Sequence, residues 1–292
     1  MKELTILILG GKGKTGRRVA ERLVKLGHKN IRIAGRSETP AFDWENPETW
    51  PAVLEGMDSV YITFQPDLAI PSAAQTIREF ATAANLHGIR KMVLLSGRGE
   101  KEAEICEKII MEIAKEWTIV RASWFNQNFS EGFFLESILT GNVALPRAET
   151  LEPFIDADDI ADVIVETLID SKHNKKIYEL TGPRLWNFPQ VISEIASATG
   201  RRIQFQPLTL DENQTLLRQY QVPEDHIWLF NYLFTEVLDG RNASVTADVQ
   251  KILAREAKDF TAYVKETAAT GLWNPVEDLS APECNEQIET SE

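Results

Sequence analysis

A chain of 292 residues with 43% hydrophobic content holds enough apolar mass for one large domain or two closely joined ones. Its formal net charge of −13 argues against nucleic acid or an anionic membrane as a partner. Two cysteines make no disulfide framework, the four histidines are scattered without metal-ligand spacing, and no stretch is long and apolar enough to span a bilayer; together these fit a reduced, cytoplasmic protein that needs no metal.

In chain order, the apolar run Thr5–Leu9 reads as a buried strand, and the periodic RRVAERLVKLG that follows reads as a helix. Between them Gly10, Gly13 and Gly16 recur at three-residue spacing. Strand, glycine turn and helix together form the context of a dinucleotide-phosphate site. Gly10 supplies the tight turn, Gly13 lets backbone N–H groups approach a pyrophosphate, and Gly16 lets the helix sit against the strand. The helix N-terminus adds free donors and partial positive charge. The substring GKT at 13–15 is not a P-loop, because position 8 is Ile8 where that loop needs a glycine. A plain glycine turn is the remaining alternative.

A second strand over 30–35 ends at Gly35-Arg36-Ser37. An acid at this point would bond ribose hydroxyls, whereas Arg36 can pair with a 2′-phosphate, so NADP(H) is favoured over NAD(H). Phe42-Asp43-Trp44 is expected as a short edge-like strand that places Asp43 near an adenine. Helix 47–54, buried strand 59–63, helix 70–87, strand 91–99, helix 100–117 and strand 118–125 follow. Such alternation requires a parallel sheet with right-handed crossovers, a Rossmann-type doubly wound α/β fold. Thr63, Phe64 and Gln65 then lie at a strand's carboxyl end, beside the ribose and pyrophosphate.

Beyond residue 125 the pattern loosens. A helix over 126–141, a short strand and a helix capped near Asp156 within 154–171, a strand over 176–182, a helix over 187–200 and a strand over 202–208 are expected, then two or three helices to about residue 271. The division is a cofactor-binding core over 1–153, a mainly helical substrate-covering region over 154–273 interleaved with it, and an acidic tail over 274–292. That tail carries six of the acids (Glu277, Asp278, Glu283, Glu286, Glu289 and Glu292) and no Lys or Arg, and reads as disordered.

The motifs GGKGKTG (10–16), GRS (35–37), FDW (42–44), LLSG (94–97), RASWFNQNFSE (121–131), PFIDADDIAD (153–162) and YELTGP (178–183) resemble, in order, the NmrA-like atypical short-chain dehydrogenase/reductases. FDW, WFNQNFSE and VPEDH (222–226) are most similar to the ergot-alkaloid reductases of that family. The resemblance implies that Gly10, Lys12, Gly13, Lys14, Thr15 and Gly16 meet the phosphates and that Arg36 meets the 2′-phosphate. It places Ser96, Trp124, Phe125 and Asn126 near the nicotinamide. Each has a plainer reading: Ser96 as a strand end, the aromatics as core, and Asn126 and Asn128 as structural amides. His226, at an expected helix start after Pro223, could protonate a product or simply sit at the surface.

The chain departs at one point from active short-chain dehydrogenases, which use a Tyr-x-x-x-Lys pair. No Tyr-x-x-x-Lys occurs; if Glu107 is the helix acid, Gly99 and Ala103 stand at the tyrosine and lysine positions. The expected activity is therefore hydride transfer to a small acceptor that arrives activated, such as an iminium, a quinone, an azo bond or a polarised alkene. The alternative is an NADP(H)-binding sensor that acts through a protein partner. A homo-oligomer is open.

Overall fold

The computed structural model describes residues 4–275, so the acidic tail beyond Pro275, with Cys284, lies outside the described residues. β1 (Ile6–Leu9) is buried at all four positions, as a strand covered on both faces must be. There follow α1 (Gly16–Lys25), β2 (Ile31–Ala34), α2 (Trp50–Leu54), β3 (Ser59–Ile62), α3 (Ala73–Leu86), β4 (Lys91–Gly97), α4 (Lys101–Ile113) and β5 (Glu116–Ala122). The second half contributes α5 (Phe134–Thr140), β6 (Asn142–Pro146), α6 (Ala157–Ile169), β7 (Lys176–Leu180), α7 (Phe188–Thr199), β8 (Gln204–Leu208), α8 (Leu210–Gln219), α9 (Glu224–Tyr232), α10 (Asp248–Leu253) and α11 (Phe260–Ala269).

Six strands form one parallel sheet in the order β2-β1-β3-β4-β5-β7. This is the doubly wound α/β fold expected from the alternation. The chain steps outward from β1 to β2, then returns to β3 on the other side of β1. A crevice therefore opens at the carboxyl ends of β1 and β3, where doubly wound sheets bind ligands. One face of the sheet is covered by α2, α3 and α4, with Cys106 as a buried apolar filler whose thiol burial pushes up to about 12. The other face carries α1 and α6. Arg18 and Arg22 on α1 hold α6 through Asp158, at 3.2 and 2.8 Å, and Arg22 also pairs with Asp162.

Several elements differ from expectation for local reasons. Phe42–Trp44 is no strand: Asp43 makes one isolated antiparallel bridge, to Asn46, and Phe42, Trp44, Trp50 and Phe80 pack as an aromatic cluster instead. The sixth strand of the sheet is β7, from the second half, so α6 and β7 are part of the sheet layer beyond residue 153. Residues 126–141 are a 3-10 turn (Asn126–Phe129) followed by α5, and Phe125 and Ile155 share a single parallel bridge where a short strand was expected. β6 was not expected; it pairs in parallel with β8 to make a second, two-stranded sheet. Asp156 caps α6 by accepting from the Asp158 amide at 2.8 Å, and Gly200 ends α7 at φ 67°, both as read from sequence. An aromatic core of Phe129, Phe134, Phe154, Phe188, Phe234 and Phe260 holds the second half together.

Candidate active site

One cavity of about 420 Å³ lies along the carboxyl ends of β1, β3, β4 and β5. At one end is the glycine loop. Gly10 takes φ +64°, and a Cβ on Gly16 would lie 2.3 Å from the Gly10 carbonyl oxygen, so the turn and the helix start close on each other only as glycines. Gly10, Gly13, Lys14 and Thr15 line the cavity here. The cradle suits an anion. A Cβ on Gly13 would stand 3.1 Å from the Gly10 carbonyl oxygen, and Lys14 makes no ion pair among the described residues, although burial lowers the pKa of its ammonium. The Thr15 hydroxyl accepts a hydrogen bond of 2.8 Å from buried Tyr61, which ties the loop to β3.

The middle of the cavity is lined by Thr63, Phe64 and Gln65 after β3, and by Ser96 at the end of β4. Ser96 is buried and donates to Glu107 at 2.7 Å. Glu107 also receives two bonds from Arg121, at 2.9 and 2.7 Å, so the Ser96 proton is committed to a structural network. The far end is apolar, with Trp124 and Phe125 after β5 facing Leu229, Phe230 and Leu233 of the α9 region. Trp124 also packs on Phe188 and Phe234, with ring centroids 5.8 and 5.6 Å away, so it serves core and cavity at once. His226 lines the cavity from α9, half-exposed, with Nδ1 3.1 Å from Asp225 Oδ1.

Lys12, Gly16, Arg36, Asp43 and Asn126 do not line it. Gly16 packs under the turn. Asn126 is fully buried, and neither side-chain polar atom has a partner among the described residues. Asp43 is engaged by its own turn, its carboxylate accepting from the Glu45 amide at 3.1 Å. Arg36 is exposed at the end of β2, and Lys12 reaches the same corner, donating to Ser37 Oγ at 2.9 Å. An acid is present there after all: Glu38 pairs with Lys12 at 2.8 Å.

Sequence reasoning missed Asp67, Arg98 and Glu100, all of which line the cavity. Arg98 is buried and fully used, bonding Glu179, the Asn242 carbonyl, and the Ser244 carbonyl and hydroxyl. Asp67 and Glu100 are carboxyls within hydrogen-bonding reach of each other, and burial pushes both pKa values up. Asp67 read as a loop residue after Pro66 and Glu100 as a helix start. The available signal was that each follows the carboxyl end of an adjacent strand.

No protein-family model matches the chain. Its relatives nevertheless span nearly its whole length. The chain is 29% identical to "Uncharacterized oxidoreductase YesF" of Bacillus subtilis, over 94% of this chain and 99% of that protein. It is 28% identical to the NAD(P)H azoreductase of Xenophilus azovorans (90% and 98%) and 27% identical to agroclavine dehydrogenase of Claviceps fusiformis (90% and 97%). A further relative, the prestalk A differentiation protein A of Dictyostelium discoideum, is 27% identical (91% and 93%) and its name states no reaction. Among solved structures, Citrobacter sp. triphenylmethane reductase complexed with NADP(H) superposes with a TM-score of 0.76 at 16% identity, covering 90% of this chain and all of that one; it shares the fold. Fold, glycine loop and relatives place the chain in the class of Rossmann-type oxidoreductases. Within that class its homologues include the ergot-alkaloid dehydrogenases that its motifs resemble.

Proposed function

We propose that the protein binds NADP(H) in the crevice and reduces a small activated acceptor without a Tyr-x-x-x-Lys relay. The observation that carries this reading is the single cavity running from a glycine-built anion cradle to an apolar, aromatic-walled end. The bound dinucleotide supplies hydride. Gly10, Gly13, Lys14 and Thr15 would hold its pyrophosphate, Thr63, Phe64 and Gln65 its ribose, and Ser96, Trp124 and Phe125 would flank its nicotinamide. Arg36, with Lys12 and Ser37 beside it, would take a 2′-phosphate. The Lys12 ammonium offsets the charge of Glu38 in that corner.

The rest of the chain positions the acceptor and excludes water, which an already electron-poor acceptor needs most. At positions 99 and 103 stand a glycine at φ +78° and a buried alanine, so no phenol or ammonium is offered from there. Ketones would lack their proton donor, which costs about 10²–10⁴-fold. The acceptor classes that remain are iminium ions, quinones, azo bonds and polarised alkenes.

The test is titration with NADPH and NADH, then single-turnover oxidation of bound NADPH by a panel of quinones, azo dyes, iminium ions and simple ketones. Tighter NADPH binding and oxidation by activated acceptors only is the expected result. Tight binding with no oxidation by any acceptor would overturn the enzyme reading in favour of a dinucleotide sensor that works through a protein partner.

A further inference from the structure

Asp67 follows β3 and Glu100 precedes α4. They meet because β3 and β4 are neighbours in the sheet, paired from Ser59–Lys91 to Ile62–Leu94. Glu100 is 9% exposed and lines the cavity, yet among the described residues no N–H or O–H donates to its carboxylate. Its polar neighbour is the Asp67 carboxyl. Asp67 accepts one bond, from the Ala69 amide at 2.8 Å. The Glu100 carboxyl is pressed onto the backbone at the end of β4: a Cβ on Gly97 would lie 1.9 Å from Glu100 Oε1 and 2.6 Å from Oε2. Glycine at 97 thus makes room for an acid at the strand terminus that faces the cavity.

Two carboxyls in contact, with no cation between them, ionise together only at a large cost, so the resting pair favours one shared proton. The Ala69 amide at Asp67 opposes this, and the neighbouring acids add to it. Glu102 and Glu107 on α4 place further negative charge nearby. Tyr232 on α9 bonds Glu102 and brings no cation. The cations in reach are committed elsewhere, Arg121 to Glu107 and Glu179, and Arg98 to Glu179 and the 242–244 loop.

We infer that the Asp67–Glu100 pair is the proton donor of this site, replacing the absent phenol for acceptors that must gain a proton as well as a hydride. This rests on the reading of the cavity as a reductase site. For a neutral acceptor A=B, such as an azo bond or a quinone, A gains the hydride carried by the reduced dinucleotide and the π pair moves onto B. B then takes the proton shared by the two carboxyls, giving HA–BH. The pair is left doubly ionised until water returns a proton. A preformed iminium needs the hydride alone.

Two measurements test this on the full-length protein. Infrared spectroscopy of the protein without nucleotide should show a protonated-carboxyl C=O band at pH 7 that Glu100→Gln removes and Asp67→Asn shifts, since burial alone still holds Glu100 up. A separate band from Glu152 should survive both. In single turnover with NADPH, the ratio of azo-dye to iminium reduction rates should fall by about 10²–10⁴-fold in Glu100→Gln, with NADPH affinity held. Absence of the band, or a ratio that does not move, overturns the proposal. If the band is present but the wild type reduces neither acceptor, the reductase reading itself has failed and proton delivery falls with it, while the infrared band shows that the pair's proton was not the cause.

Discussion

Glu100, at the N-cap position of α4, and Glu107, two turns further along it, are both buried, and the protein treats them in opposite ways. Glu107 is 1% exposed and receives three hydrogen bonds, from Ser96 and from both arms of Arg121, which Glu179 steadies in turn. Glu100 receives none from any donor among the described residues and faces another acid. A buried carboxylate with a bidentate arginine is a fastener between β4, β5 and α4. A buried carboxyl pressed against a second carboxyl on a cavity wall serves no such purpose, and its isolation raises its affinity for a proton. The first two turns of α4 and its cap therefore carry one acid that holds the sheet together and one that is kept for the cavity.

The contrast is broken most severely at Arg121. Arg121→Met should strand the Glu107 charge with only Ser96 as a partner and cost about 3–5 kcal/mol in urea unfolding. Arg121→Met combined with Glu107→Gln should recover most of that loss, because the uncompensated charge is then gone. Glu100→Gln, by comparison, should leave stability unchanged or raise it, since the neutral amide can donate to Asp67 in place of the shared proton. Equal losses for Glu100→Gln and Arg121→Met would show that the two acids do the same structural work.

Glu152 sharpens the comparison as a third buried acid. Burial pushes it up to about 8, and the Trp124 amide, Arg98 and the Ser123 hydroxyl only partly oppose this. Neither oxygen has a partner at full hydrogen-bonding geometry. The folded state therefore keeps a proton that the unfolded chain gives up near its ordinary value of 4.5. The stability that Glu152 contributes is full below about pH 4.5 and is lost as pH rises from there to about 8, at up to about 1.4 kcal/mol per pH unit. Glu152→Gln should flatten that slope, so that its melting temperature exceeds the wild type's by more at pH 8 than at pH 5. A gap of the same size at both pH values would mean that Glu152 does not hold its proton.

These differences set what was legible in the sequence. β1, its glycine loop and α1 lie within twenty consecutive residues, and local periodicity with three glycines is enough to find them. Glu107 could be singled out, from the family pattern, but its partner could not, because Arg121 reaches it across the β4–β5 pairing. Asp67 and Glu100 share no local pattern at all; only the parallel pairing of β3 with β4 makes them neighbours. β6 escaped for the same reason, being a short strand whose partner β8 is distant in sequence. Phe42–Trp44 misled because alternating aromatics suit a strand, and here they were needed to fill a core corner with Trp50 and Phe80.

The smallest effects belong to the solvent-facing charges at the end of β2, where the opposition of paired and unpaired groups recurs in water. Arg36 is exposed and has no ion partner among the described residues, while Lys12 and Glu38 pair with Lys12 70% exposed. Such an exposed pair contributes about 0–1 kcal/mol, so Lys12→Ala should not change the melting temperature measurably. If this corner takes a 2′-phosphate, Arg36→Ala should lower the NADPH/NADH affinity ratio about ten- to a hundredfold, the value of one charge-assisted contact. Lys12→Ala should lower it by less, because the Lys12 ammonium is 70% exposed and already paired with Glu38, so solvent screens what it offers a phosphate. Glu38→Gln should move the ratio slightly the other way. An unchanged ratio in Arg36→Ala would remove the ground for NADPH preference, and the Lys12–Glu38 pair would then read as a ribose-side acid held in place by a lysine.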